Sequence, residues 1–318
     1  MWKANAAESV RSCQVARILF LALFLAVSLS ATNTVVSQRP SPAPASSPLV
    51  ITTQPEAIIW IDEVRRGVTD ASGRLELKKV SPGRHTVRVR ASGFNEVSVP
   101  LLAGRRSLAV KLAKTTDQAQ LTFQQAELAR EQARDDESRK KAAELYRNAL
   151  KLRRSYAAAH LGLARVLLDL NQYREALAEI EAARSVRPVY PEASAVEGRI
   201  NREAAFTEDA IASFRRSIRE AKGFQPEAHV GLARILEEKG QYVEAEAEFR
   251  KALAQLSDSE PIIYQLLGAA LEKQQKFKEA VVAYEKYLEL APNGSLAPAL
   301  RSIIDQLRRD AEGQEIIP

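Results

Sequence analysis

The side chains able to do chemistry are few in this chain of 318 residues. His85, His160 and His229 are its three histidines, and none has a second histidine within helical reach, so a metal site lacks ligands. Helix packing is the expected role of His160 and His229. Adjacent carboxylates such as Glu237 and Glu238 diverge on a helix surface and do not form a poised acid–base pair. There is no Gly-x4-Gly-Lys-Ser/Thr phosphate loop, no dinucleotide glycine pattern and no Gly-x-Ser-x-Gly nucleophile turn. The single cysteine, Cys13, lies near the N-terminus and excludes a disulfide framework or a cysteine metal site. The expectation is a protein without catalysis, metal or cofactor. What remains is arginine: Arg165, Arg199 and Arg234 recur at a spacing of 34 and 35 residues.

That spacing belongs to a helical array. In Ile262–Pro292, Tyr264, Leu267, Gly268 and Leu271 mark one helix. Phe277, Ala280, Tyr284 and Tyr287 mark a second after the polar turn Lys273–Lys276, and Pro292 is the stop. Three earlier copies carry Ala164, Ala176, Ala183 and Pro188; Gly198, Ala210, Phe214 and Ser217; and Ala233, Ala245, Phe249 and Ala252. A divergent first copy keeps Ala142, Tyr146 and Ala149, with extra residues expected near Asp135-Asp136. The pattern resembles the tetratricopeptide repeat, a helix–turn–helix of about 34 residues. The small residues let paired helices approach closely, and the aromatic fills the space between hairpins. One hairpin cannot bury its apolar face, so several must stack. About five repeats are expected over residues 115–293, with a capping helix over 294–313 that applies Leu296, Leu300, Ile303 and Leu307, and a tail at 314–318.

The resemblance implies a superhelix whose first helices line a concave groove. By register the groove receives Leu161, Arg165, Leu168 and Asp169, then Glu192, Ala195, Arg199, Arg202 and Glu203. Glu227, Val230, Arg234, Glu237 and Glu238 follow, and then Ile262, Gln265, Glu272 and Lys273. Guanidinium forks suit carboxylates and carbonyls of an extended peptide. The competing role is internal: the same arginines pair with acids on the next helix and knit the array.

Residues 49–114 read differently. Apolar residues alternate, as in Ile59 and Ile61, Val87 and Val89, or Val97 and Val99, between turn signals at Pro55, Gly67, Gly73, Gly83, Gly93 and Gly104. Short strands at this spacing predict a small β-sandwich. Pro55-Glu56-Ala57-Ile58, Asp62-Glu63, Gly67-Val68-Thr69, Pro82-Gly83-Arg84-His85 and Gly93-Phe94 give the segment its resemblance to the PEGA domain. That resemblance implies a surface-associated, non-catalytic module. Ala57 and Glu63 depart from it, both standing where the family prefers glycine, and Glu63 in a tight turn asks for an unfavourable positive φ. Arg84, Arg88 and Arg90 share one strand face and form a candidate anion surface for lipid headgroups or a wall polymer. A solvated strand face is the alternative. Trp60 points away from Ile59 and Ile61 and is a candidate docking residue.

The N-terminus carries Lys3, Arg11 and Arg17 before the apolar run Ile18–Val27 and small residues to Ala31. Residues 1–31 therefore read as an export signal, either cleaved or retained as an anchor, and the Pro/Ser/Ala-rich stretch 32–48 as an extended linker. Residues 49–114 hold 12 Lys and Arg against 6 Asp and Glu, whereas residues 115–318 hold 30 against 33. The expectation is an exported envelope protein of bacterial type, periplasmic, at the cell surface or anchored by its N-terminus. Protein partners would bind in the groove, and nucleic acid would not. The rival expectation is a basic β-module attached to an anionic membrane or wall, with the helices as spacer or as regulator of a catalytic partner.

Overall fold

The computed structural model describes residues 48–78, 80, 83–256 and 260–315, with side chains as far as 312. The expected signal over 1–31 and all but the last residue of the linker at 32–48 lie outside the described residues. Among the described residues no helix is long and apolar enough to cross a membrane.

Among the described residues seven strands come first: β1 (Leu49–Thr52), β2 (Ile58–Ile61), β3 (Val64–Val68), β4 (Arg74–Leu77), β5 (His85–Arg90), β6 (Val97–Leu101) and β7 (Ser107–Ala109). They form one sheet in the order β4-β1-β7 and another in the order β3-β2-β5-β6. Alternation puts Ile59, Ile61, Val87 and Val89 on the inner face of the larger sheet, against Leu49 and Ile51 of the smaller. This sandwich-like set closes without a disulfide. Thr69 is buried where the chain leaves β3; its hydroxyl donates to the Gln54 carbonyl at 2.7 Å and accepts from the Ala57 amide at 2.8 Å. Ala57, expected to stand in for a glycine, is fully buried and is not among the positive-φ residues.

Eleven helices follow among the described residues: α1 (Gln118–Gln132), α2 (Asp136–Leu152), α3 (Ala157–Asp169), α4 (Tyr173–Val186), α5 (Pro191–Glu203), α6 (Thr207–Glu220), α7 (Pro226–Glu238), α8 (Tyr242–Gln255), α9 (Pro261–Lys273), α10 (Phe277–Leu290) and α11 (Ala297–Glu315). Helices α5, α7 and α9 begin on proline, whose fixed φ and missing amide proton suit the first turn. The turn inside each of the four later hairpins has one left-handed residue: Asn171, Ala205, Gly240 or Gln275. The amide just after it returns to a carbonyl five positions earlier, as Gln241 does to Leu236 at 2.8 Å. The extra residues expected near Asp135-Asp136 lengthen α2 at its N-terminus, where Asp135 and Ser138 make a capping box.

The aromatic wedges pack as the spacing predicts. Tyr146, Phe214, Phe249 and Tyr284 are almost wholly buried. A Cβ on Gly198 of α5 or on Gly231 of α7 would fall within 3.0 Å of the same Phe214 ring, so that ring fills the space between two hairpins. The last repeat is covered by α11 through Ala297, Leu300, Ile304, Leu307 and Ala311. Ile303, expected in that face, is only partly buried, and the apolar stripe runs one residue further on.

Candidate partner-binding groove

Odd-numbered helices lie side by side from α1 to α7, and residues of α1, α3 and α5 share a cavity with the β-sandwich. One element that meets them is the β2–β3 hairpin. Its two-residue turn, Asp62-Glu63, has φ of 50° and 65°, the signature of a tight primed turn. Neither residue is glycine, so the left-handed backbone costs on the order of 1–2 kcal/mol at each. Side-chain contacts of both residues offset this. Asp62 accepts from the Thr86 amide at 2.9 Å and lies 2.5 Å from His85 Nδ1. Glu63 accepts from Arg88 at 2.7–2.9 Å.

Glu63 and Val64 stand at the tip. With Arg199, Arg202, Glu227, Val230, Arg234, Ile262 and Ile263 they line a cavity of 640 Å³ beside α5, α7 and α9. Val64, like Val230 and Tyr264, packs against the buried apolar cluster that includes Leu256, Ile263 and Leu267. Arg66, next on β3, lies in the field of Glu260 at the head of α9, and burial lowers its pKa. Arg65 reaches the other way and pairs with Glu131 of α1 at 3.3 Å. The hairpin thus bridges the first and the fifth helix pairs.

A second cavity of 460 Å³ lies behind the tip and holds Trp60, Arg88, Arg90, Phe123, Leu161, Arg165, Tyr190 and Glu192. Arg90 is 9% exposed. Its guanidinium donates to Glu96 at 2.6 Å and to Glu127 of α1 at 2.9 Å, and lies 5.1 Å from the Trp60 ring and 5.0 Å from the Phe123 ring. Tyr146 donates its hydroxyl proton to Glu127, and Arg130 donates to the Tyr146 oxygen at 3.3 Å. Burial pushes the Glu127 carboxyl up, but Arg90, Arg130 and the Tyr146 hydroxyl outweigh it and hold it at about 2. Glu192 has the opposite balance. Its Oε2 is buried without a hydrogen-bond partner, and burial together with the nearby Glu63 charge raises its pKa.

These placements revise the expected sites. Arg88 and Arg90 do not form a free anion surface: Arg88 is shared by Glu63 and Glu96, and Arg90 by Glu96 and Glu127. The sandwich presents Arg84, Arg105 and Arg106 to solvent instead. Trp60 faces α1 and α3 across the cavity, with the Arg88 guanidinium 4.0 Å above its ring. Arg165 lies near Glu127 and Glu192; Arg199 pairs with Glu227 at 3.3 Å; Arg202 pairs with Glu203; Arg234 is exposed. The Arg199 pair is about 40% exposed on both sides and contributes under about 1 kcal/mol. Leu168 and Ala195, expected in the groove, are core residues, and Asp169 and Glu238 are exposed at helix ends outside both cavities. Glu127 escaped sequence reading because its partners Arg90 and Tyr146 are 37 and 19 positions away, which leaves no local signal.

His160 and His229 are hairpin clasps. Nδ1 of each meets a glutamate on the second helix of its repeat, Glu179 at 2.6 Å and Glu248 at 2.5 Å, and Nε2 meets the carbonyls of Arg154 and Gly223. With acceptors at both nitrogens of His160, its imidazolium is the favoured form. The Glu179 hydrogen bond raises the pKa of His160 above its ordinary value. A raised folded value means the clasp contributes fully below about pH 6.5 and is lost as pH climbs through the folded pKa. Imidazole NMR titration should therefore place His160 above the usual range, and Glu179→Gln should bring it down. A His160 value unmoved by Glu179→Gln would contradict the clasp.

Among the described residues no group of three or more His, Cys, Asp or Glu is placed to hold a metal ion. The helical part is a tetratricopeptide-repeat array: residues 133–200 and 224–293 each match that repeat family. The solved structure of PilW, described as a widely conserved type IV pilus biogenesis factor, is similar in fold with a TM-score of 0.53 and 17% identity. The match covers 62% of this chain and 89% of that one. PilF of Pseudomonas aeruginosa is similar with a TM-score of 0.53 and 16% identity, over 61% of this chain and 86% of that one. At such identities the likeness is one of fold. A search of curated proteins returns no match. Arrays of this class generally act as non-catalytic scaffolds for protein interaction.

Proposed function

We propose that this protein is an exported adaptor of a bacterial-type cell envelope, with a PEGA-like β-sandwich at residues 49–114 that orients a partner-binding repeat array. The observation that carries this is the groove wall. Arg199 and Arg234 stand at matching places on successive repeats, beside the aliphatic Val230 and a half-exposed Ile262, around 640 Å³ of open space. In that wall Arg199 and Arg202 are paired with Glu227 and Glu203 while Arg234 is exposed, and an exposed guanidinium beside apolar side chains suits a peptide or helix that offers a carboxylate. Export rests on the basic, then apolar N-terminal stretch.

The full chain is the right reagent, because the sandwich and α1 share the buried Arg90–Glu127 pair. Cross-linking and affinity capture from envelope fractions should recover partners with the wild type. Combined Arg199→Glu and Arg234→Glu should lower that recovery about tenfold or more, the equivalent of ~1.4 kcal/mol. Recovery unchanged by the double reversal, with an unchanged melting curve, would overturn the groove as the partner site.

A further inference from the structure

Three donor side chains in the 460 Å³ cavity behind the hairpin tip lack an acceptor among the described residues. Tyr190, the residue just ahead of α5, is 6% exposed, and its hydroxyl has no hydrogen-bond partner there. Unlike the sealed Glu192 Oε2, that oxygen stays accessible. Arg165 of α3 is half-buried and Arg187 follows the last residue of α4; neither has an ion pair or a hydrogen bond among the described residues. The Arg187 guanidinium lies 4.3 Å from the Tyr190 ring, and the charges of Arg165 and Arg187 both bear on the Tyr190 hydroxyl. We propose that this cavity is a binding site for a small organic carboxylate, held by Tyr190, Arg165 and Arg187 between the β-sandwich and the array. It is a second site, separate from the partner groove of Arg199 and Arg234.

The donors select the charge and shape of the ligand. Burial, together with the Glu192 charge, pushes the Tyr190 hydroxyl up to about 12, so it keeps its proton and donates near neutral pH. Guanidinium forks match the two oxygens of a planar carboxylate. The other arginines of the lining are already satisfied. Arg65 pairs with Glu131, Arg88 with Glu63 and Glu96, Arg90 with Glu96 and Glu127, and Arg130 with Glu127. Glu192 is the one acid left, and it is a poor internal ligand for the three donors: its Oε2 is sealed and burial raises its pKa. Six arginines against five glutamates leave the lining with one positive charge in excess, which suits a monoanion better than a phosphate dianion. Trp60, Phe123 and Leu161 supply apolar wall for a carbon body, and the volume is that of a small-molecule site.

Calorimetric titration of the full chain with cyclohexanecarboxylate, its uncharged carboxamide and inorganic phosphate tests this. The carboxylate should bind with a Kd of about 1 mM or tighter, and about tenfold more tightly than either of the others. Tyr190→Phe should weaken it about tenfold, and so should Arg165→Gln combined with Arg187→Gln. Melting curves of the free variants should stay unchanged, because none of the three side chains gives up a hydrogen-bond or ion-pair partner. Arg187→Gln alone, at the exposed position, is the second variant should the pair fail to fold. Arg199→Glu with Arg234→Glu should leave carboxylate binding intact, which separates this site from the partner groove. Equal affinity for carboxylate and carboxamide, tighter binding of phosphate, or no saturable heat up to about 10 mM carboxylate would each overturn the proposal. Wild-type affinity in Tyr190→Phe and in the arginine variants would overturn it as well.

Discussion

Glu127→Ala should destabilise the protein by about 3–5 kcal/mol, because it leaves a buried guanidinium short of a partner. Arg90 has little access to water, lies near the Trp60 and Phe123 rings, and keeps only Glu96 after the substitution. The loss spreads further than one pair. The Tyr146 hydroxyl, fully buried, loses its acceptor, and Tyr146 is also the ring that Gly162 of α3 packs against. One carboxylate therefore joins the sandwich, the first repeat and the second. Urea unfolding of the full chain is the measurement, and a loss under about 1 kcal/mol would show that the network is not coupled as described. Replacing Arg90 and Glu127 together by methionine should cost less than Glu127→Ala alone, since no buried charge is then stranded.

The same residue sets an acid limb. Its folded pKa of about 2 lies below the ordinary 4.5, so the charged carboxylate is the form that the fold stabilises. The contribution is present above about pH 4.5 and is lost as pH falls from there toward 2. In Glu127→Gln that part of the stability curve should flatten. A variant with the wild-type acid limb would assign the limb to other carboxylates.

Gly231→Val should be the most damaging small substitution in the array. A Cβ at Gly231 would fall within 3.0 Å of the Phe214 ring, and a Cβ at Gly198 would meet the same ring from the other side. Phe214 is wholly buried and cannot withdraw from one neighbour without striking the other. Replacing a helical glycine by alanine normally gains up to about 1 kcal/mol of helix propensity. Here overpacking of roughly 1–3 kcal/mol opposes that gain even for alanine, and the branched valine adds two further methyls, so about 3 kcal/mol is expected. Thermal melts of Gly231→Ala and Gly231→Val should show the second falling further. Adding Phe214→Leu should recover part of the loss, because it frees the space the new methyls need. Absence of any recovery would place the cost in the backbone of α7 rather than at the ring.

Much of this architecture is written locally. Glycine, alanine and aromatic residues at spacings of 34 and 35 specify how one helix pair fits the next, and each fit is made between neighbours in sequence. The same holds for strand alternation, which places Ile59, Ile61, Val87 and Val89 on one inner face. Even the awkward Glu63 is legible as a non-glycine in a turn that needs positive φ. Periodicity assigns a residue to a face but not to what that face meets. Arg88 and Arg90 lie on one face of β5 as alternation requires, with Arg84 just ahead of the strand, yet Arg88 and Arg90 are neutralised by Glu63, Glu96 and Glu127, up to 37 positions away. Leu168 and Ala195 fall in the groove by register, yet the close approach of neighbouring helices draws them into the core. The sequence by itself determined the repeat, its wedges and the presence of a β-sandwich, because those depend on contacts of short range. Only the tertiary structure decided that the β2–β3 hairpin lies in the groove, since that contact joins residues of β3 to α7 and α9 across the whole array, where no local pattern records the meeting.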